Sequence, residues 1–173
     1  MKFNRNVIVG ILLLSLLSIV SCTGKQPVSV LPTHIKKIAV NNFSSNTVHY
    51  GIEDKLTKKV IDEFLRDGRL EIVKAEEADA LLTGVIVRYE LAPVSYDAQS
   101  IIEQYKLYIG VDITFKDQIQ GTTLWTENNI HEDYTYYVTA KAGQLVETEN
   151  DAQEAVTDLL SRDIVKRTVV GWW

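Results

Sequence analysis

Between Gln104 and Asp117 the chain alternates without a break. The odd positions Tyr105, Leu107, Ile109, Val111, Ile113 and Phe115 are apolar or aromatic, and the even positions Lys106, Tyr108, Gly110, Asp112, Thr114 and Lys116 are mostly polar. Successive side chains of a strand point to opposite faces, so this period of two predicts a long strand with one buried face and one wet face. A wet face means a sheet covered on one side only, which favours antiparallel pairing and something apolar laid over the other side.

The rest of the sequence supplies neighbours and a cover. Ala80–Leu91 reads as a second long strand, with Leu81, Val85, Val87, Tyr89 and Leu91 on one face, and Ala92–Ile102, with Pro93, Asp97 and Ser100, as the hairpin tip that follows. A third long strand starts after Gly121, and Ile35–Phe43 and Leu70–Val73 read as short strands. A helix is expected from about Val48 to Asp67, with Asn42–Thr47 supplying loop and cap chemistry and Gly68 closing the last turn. Its stripe is Ile52, Leu56, Val60 and Phe64, widened by Ile61 and Leu65. A second helix begins at Thr148, with Asp151 three residues on as a capping-box partner, and carries Ala152, Val156, Leu159, Leu160 and Ile164. The order β-α-β-β-β-β-α predicts a single α+β domain. Two amphipathic helices pack on one face of a mixed, mainly antiparallel sheet of four to five strands.

The N-terminus points to a compartment. Lys2 and Arg5 precede the 14-residue apolar run Val7–Val20, which is shorter than the roughly 20 residues of a spanning helix and reads as a secretory signal. Ile19-Val20-Ser21-Cys22 then resembles a bacterial lipobox, and Cys22 is the one cysteine of the chain. Residues 1–21 are thus expected to be a lipoprotein signal peptide, Cys22 the lipid attachment site, 22–34 a lipidated tether with Pro27 and Pro32, and 35–173 the folded domain. A single cysteine excludes an internal disulfide framework. The sequence holds 18 Lys and Arg against 23 Asp and Glu. The first 21 residues take two of the basic ones and no acid, leaving a charge of −7 from Cys22 onward. That sign argues against nonspecific nucleic-acid binding, which needs a cationic surplus to displace counterions.

Catalytic and metal constellations are missing from the pattern. His34, His49 and His131 have no helical ligand spacing and read as solvated or locally bonded. The glycines are isolated, and there is no G-x-S-x-G elbow. The acidic pairs Glu53-Asp54, Asp62-Glu63, Glu76-Glu77 and Glu132-Asp133 diverge on any regular element and read as solvated surface. No cofactor is expected. On the wet face, Lys106 and Lys116 with Arg88 of the neighbouring strand could meet anionic phosphate groups, against the simpler role of keeping the sheet soluble. Tyr134, Tyr136 and Tyr137 suit an interface patch or strand-end packing equally.

Taken in order, KKIAVNNFSSNTVHYGIEDKLTKKVIDEFLRDGRLEIV, ADALLTGVIVRYELAPVSYD, EQYKLYIGVDITFKD, GTTLWTEN and the closing DIVKRTVVGWW resemble the LptE family of lipopolysaccharide-assembly lipoproteins, from about Ile35 to Trp173. The resemblance implies an outer-membrane lipoprotein, palmitate-bearing at Cys22 and facing the periplasm. Such a protein plugs and helps assemble the LptD β-barrel for delivery of lipopolysaccharide to the outer leaflet, and catalyses no reaction. Arg88, Lys106 and Lys116 as lipopolysaccharide contacts come from face geometry and not from the family. A different class stays open: a lipid-anchored periplasmic scaffold or adaptor of another secretion or surface-assembly complex.

Overall fold

The computed structural model describes residues 31–140 and 143–171. Its elements are β1 (Lys37–Val40), β2 (Ser44–Ser45), α1 (Ile52–Asp67), β3 (Glu71–Ile72), a 3₁₀ turn (Ala75–Glu77), β4 (Ala80–Tyr96), β5 (Ile102–Asp117), β6 (Thr123–Tyr137) and α2 (Glu149–Val170). The sheet order is β3-β1-β4-β5-β6, with β2 added to β4. β1 runs parallel to both β3 and β4, whereas β4, β5 and β6 form an antiparallel meander. The fold is therefore the expected α+β domain with a mixed sheet, and it has six strands.

The extra strand explains a shift in α1. Ser44 and Ser45 pair with Val85 and Ile86, and the Asn46 amide donates to the Ile86 carbonyl at 2.9 Å. The segment expected to cap a helix from Val48 is thus taken up by the sheet. The helix starts at Ile52, after Gly51 in the left-handed conformation and without a side-chain cap. Gly68 ends it as expected, its amide returning to the Phe64 carbonyl. Ile52, Leu56, Val60 and Phe64 are buried, but Leu65 is exposed and the stripe is widened by Thr57 instead. Thr57 Oγ1 accepts the Phe43 amide at 2.9 Å and donates to the Glu53 carbonyl at 2.8 Å, which satisfies the hydroxyl inside the core.

In α2 the capping box forms as expected between Thr148 and Asp151. The buried face holds Ala152, Val156, Leu160, Ile164, Val165 and Val169, interleaved with Thr157, Ser161 and Thr168. Each of these hydroxyls donates to a carbonyl one turn back in its own helix, so the polar atoms are buried with a partner. Leu159, expected in the stripe, is partly exposed. Lys55 and Lys59 of α1 reach Glu154 of α2 at 3.2 and 3.1 Å. Trp172 and Trp173 lie outside the described residues.

The core-facing positions of β5 are those the alternation predicts: Leu107, Ile109, Val111, Ile113 and Phe115 are all buried. In β4 the pattern differs. Ala80, Leu82, Gly84 and Ile86 face the core, and a register irregularity between Ile86 and Arg88 hands that face to Tyr89 and Leu91. A bulge inserts one extra residue, here Val87, and so exchanges the two faces of a strand beyond it. Leu81, Val85 and Val87 therefore do not share a face with Tyr89 and Leu91. β4 also runs on to Tyr96, so the hairpin tip is shorter than expected. It is held by the Asp97 carboxylate accepting the Gln99 and Ile101 amides at 2.9 and 2.8 Å.

Candidate functional site

The helices leave the opposite face of the β4–β5–β6 meander open, and its centre is a connected polar and aromatic cluster. Tyr108 of β5 lies in the middle. The Arg88 guanidinium carbon sits 4.5 Å from its ring centroid, and the His131 ring stacks on it at 5.0 Å. A cation over an aromatic face is attracted by the ring quadrupole, so Arg88 is held in place from below. Glu90 binds its guanidinium from the side at 2.5 Å and holds the group more firmly protonated than an ordinary arginine.

A bend in β6 shapes the other flank. Asn129 has φ 55°, in the left-handed region that asparagine tolerates better than most residues, and β6 changes register against β5 at this level. Its amide donates to Asp112 at 2.7 Å, its side chain lies at 3.3 Å from the Tyr108 hydroxyl, and its carbonyl bonds His131 Nδ1 at 3.0 Å. Gly110 makes the close approach possible: a Cβ there would collide with Asn129 Oδ1 and would press on Arg88 Cβ at 3.4 Å. The glycine thus leaves room for the Asn129 amide, whose exposed end would have to turn aside for any larger residue.

A shallow hollow of about 150 Å³ opens between Arg88, Glu90, Ala92, Lys106 and Tyr108. Of the three cations expected on the wet face, Arg88 and Lys106 come together here. Lys116 stays on the same face but ten residues further along β5, beside Leu81 and Thr123, about 33 Å from Lys106 at strand rise. Lys106 is paired with Asp133 at 3.3 Å. The hollow therefore presents cations that already carry counter-ions. Cys22, the expected lipid attachment site, lies outside the described residues.

The tyrosine set divides. Tyr136 is buried and stacks on Tyr105 at 6.2 Å, Tyr134 donates to Glu147 at 2.9 Å, and Tyr137 pairs along the ladder with Gln104. Tyr134 and Tyr136 serve packing around the start of α2, where the Tyr89 hydroxyl also donates to Glu149 and accepts from Gln153. Burial and the Glu149 carboxylate push the Tyr89 phenol up. His49 stacks on Tyr89 at 3.7 Å.

His34 is half-buried, and its bond is not a local one. Its Nε2 lies 2.6 Å from Asp117, a fully buried carboxylate 83 residues away. Asp117 and its neighbour Asp79 carry no motif that marks them in the sequence. Among the described residues no group of three or more His, Cys, Asp or Glu is placed to hold a metal ion, and no helix is long and apolar enough to cross a membrane.

A family model described as LptE, lipopolysaccharide-assembly, matches residues 35–168. The chain belongs to the LptE family. That match runs from the first buried residue before β1 to the last turn of α2, so it spans the whole LptE-type sheet together with both helices. A hypothetical protein from Chlamydia trachomatis is similar in structure, with 9% identity and a TM-score of 0.52, over 77% of this chain and 95% of that one. A protein from Xanthomonas campestris is similar at 14% identity and a TM-score of 0.51, over 80% and 89%. At such identities the likeness is one of fold alone. No curated protein matches the sequence.

Proposed function

We propose that this LptE-family chain is a lipid-anchored outer-membrane lipoprotein. In this reading it plugs, and helps to assemble, an LptD-like β-barrel that passes lipopolysaccharide to the outer leaflet, and it does so without catalysis. The family match over residues 35–168 carries the reading. The physics of a plug supports it. The lumen of a large outer-membrane barrel is polar, so an occupant must present hydrogen-bonding side chains to the wall and bury its own apolar surface internally. A two-layer domain with both helices on one side of the sheet, and Arg88, Glu90, Tyr108, His131 and Asp133 on the other, has that division.

Signal cleavage before Cys22, acylation of that cysteine and a tether over 22–34 would hold the domain at the periplasmic side of the membrane. Several acyl chains are enough for a durable anchor where one is not. Arg88 and Lys106, with Lys116 further along the face, are the proposed contacts to lipopolysaccharide phosphates. Affinity purification of the full-length protein from detergent-solubilised envelopes should bring down a large β-barrel. Recovery of a secretin or another complex in its place would replace the plug by an adaptor. Palmitate labelling should vanish in Cys22→Ala, and labelling that persists would refute the anchor.

A further inference from the structure

The start of β1, the turn before β3 and the β5–β6 turn meet at one end of the sheet. Ile35 and Leu70 are buried there and belong to the core. The Lys36 and Lys37 amides donate to the Asp79 carboxylate at 2.8 Å each, and the Lys36 carbonyl accepts the Glu71 amide at 2.9 Å, so the backbone on both sides is fixed. Between these two stretches lies a groove of about 380 Å³. Its lining is apolar at Leu31, Pro32, Ile35 and Leu70 and cationic at Lys36 and Arg69. Both cations are exposed, Arg69 reaches Asp67 through Nε at 3.3 Å, and among the described residues no carboxylate lines the groove itself. Sites for one small ligand have about 300–1,000 Å³, mostly apolar walls and a few placed polar groups, and this groove has that make-up.

We infer that this groove holds one membrane phospholipid, with its phosphate at Lys36 and Arg69 and the start of an acyl chain along Leu31, Pro32 and Leu70. The lining selects that occupant. Inorganic phosphate would leave the apolar part bare, and a plain hydrocarbon would bring two cations against oil with no counter-charge. A phosphate instead offers the Arg69 fork two oxygens and the Lys36 ammonium a compact anionic neighbour. The place agrees with the chemistry. The groove opens where the chain enters the domain, and the nine steps from Cys22 to Leu31 reach at most about 30 Å. At the same end Ile119, 61% exposed, stands on the β5–β6 turn, its amide held by Asp117 at 2.9 Å. An exposed apolar tip beside cations suits the headgroup boundary of a leaflet. Nearness to the bilayer rests on the proposed lipid at Cys22; the make-up of the groove does not. A tether alone leaves the domain free to turn. A phospholipid held by the domain itself fixes which end of the sheet faces the leaflet.

Native mass spectrometry of the full-length protein in non-ionic detergent, with phosphatidylglycerol, phosphatidylethanolamine or diacylglycerol added, reads anchor and groove separately. The bare mass shows whether Cys22 carries acyl chains, and the adducts report the groove. One phosphatidylglycerol should be retained per chain, and one phosphatidylethanolamine, which brings the same phosphate; diacylglycerol should stay at background. Lys36→Glu with Arg69→Glu should lower the phospholipid adduct at least fivefold. Thr33→Trp, an exposed position on the lining, should lower it as well by filling the groove without changing its charge. Lys58→Glu with Arg162→Glu, the same change of charge on the exposed sides of the helices, should leave the adduct as it is. Equal adducts in the wild type and the Lys36 and Arg69 reversal would overturn the inference. So would diacylglycerol retained as well as phosphatidylglycerol, or an adduct lost equally in the helix reversal. A chain without acyl mass that still retains phospholipid would refute the anchor and leave the groove standing.

Discussion

Gly84→Ala should destabilise the domain by about 2–3 kcal/mol, and the cost should disappear when Phe43 is truncated. Gly84 lies on the core face of β4, and a Cβ placed there would meet Phe43 Cδ2 and Cε2 at 2.7 Å and Cζ at 2.9 Å. Ordinary carbon contacts are about 3.5–4.0 Å, so the ring would have to retreat by roughly 1 Å. It has little room to do so: Phe43 is 3% exposed, and its amide is fixed to Thr57 of α1. Overpacking of this kind costs about 1–3 kcal/mol, and a pinned ring places the cost in the upper half. Phe43→Ala alone removes a buried aromatic and should cost about 3–5 kcal/mol. In the double variant the added methyl enters the space the ring has left, so the total should not exceed the cost of Phe43→Ala. The coupling is then about 2 kcal/mol or more, well beyond the few tenths expected of independent sites. Urea unfolding followed by circular dichroism and by tryptophan fluorescence, to which the buried Trp125 contributes, gives all four corners of the cycle, provided the slopes agree. Additive costs would show that Gly84 is not there to make room for Phe43.

Thr148→Ala removes the hydroxyl that accepts the Asp151 amide and donates to its carboxylate, and should cost about 1 kcal/mol in the same unfolding assay, with Thr148→Ser close to the wild type. The Lys36 and Lys37 amides hold the Asp79 carboxyl below the ordinary 3.8, and the Gln120 amide, aided by His34, does so for Asp117 against the opposing effect of burial. Groups with depressed folded values contribute fully above their unfolded value and lose that contribution as pH falls through the folded one. Stability measured by urea at a series of pH values should therefore drop below pH 3.8. Asp117→Asn should flatten that limb, and superimposable acid limbs would contradict the assignment. Arg88→Glu with Lys106→Glu should weaken binding to purified lipopolysaccharide several-fold in a sedimentation assay, whereas Lys116→Glu alone should have a smaller effect because it lies so far along the face. Unchanged binding in the double reversal would dismiss the hollow as a phosphate site.

β5 was legible because no bulge interrupts its own alternation, and the two helices were legible because Ile52, Leu56, Val60 and Phe64 keep a four-residue step and Thr148 and Asp151 a capping-box spacing. β4 was not. Its first half is apolar on both faces, with Ala80, Leu82 and Ile86 inside and Leu81, Val85 and Val87 outside, so periodicity alone could not choose, and the bulge at Val87 carries no glycine or proline to announce it. Counting parity from Leu81 puts Arg88 on the wet face. The count gives the right answer only because the bulge reverses the strand just before Arg88. The start of α1 was obscured by two serines that pair with β4, a choice made by the tertiary fold. The pairing of His34 with Asp117 spans 83 residues and has no local signature at all, and the same holds for Asn129, whose left-handed backbone is fixed by Asp112 on the next strand.

The charge of the open face bears directly on what it can bind. A chain with net charge −5 has no long-range attraction for an anionic lipid, and Arg88 and Lys106 are matched by Glu90 and Asp133. That matching does not silence them. All four side chains are about half exposed, and an exposed ion pair contributes at most about 1 kcal/mol, so exchanging a carboxylate for a phosphate loses little. A phosphate offers more acceptor oxygens to the planar fork of Arg88, which Tyr108 already holds in position, and the contact that replaces Glu90 is again a charge-assisted one. The proposed phosphate contact would then form by exchange of counter-ions and not by net attraction. Removing the competing acids with Glu90→Gln and Asp133→Asn should strengthen lipopolysaccharide binding and raise its salt sensitivity, whereas a site that used these acids to bind would lose affinity.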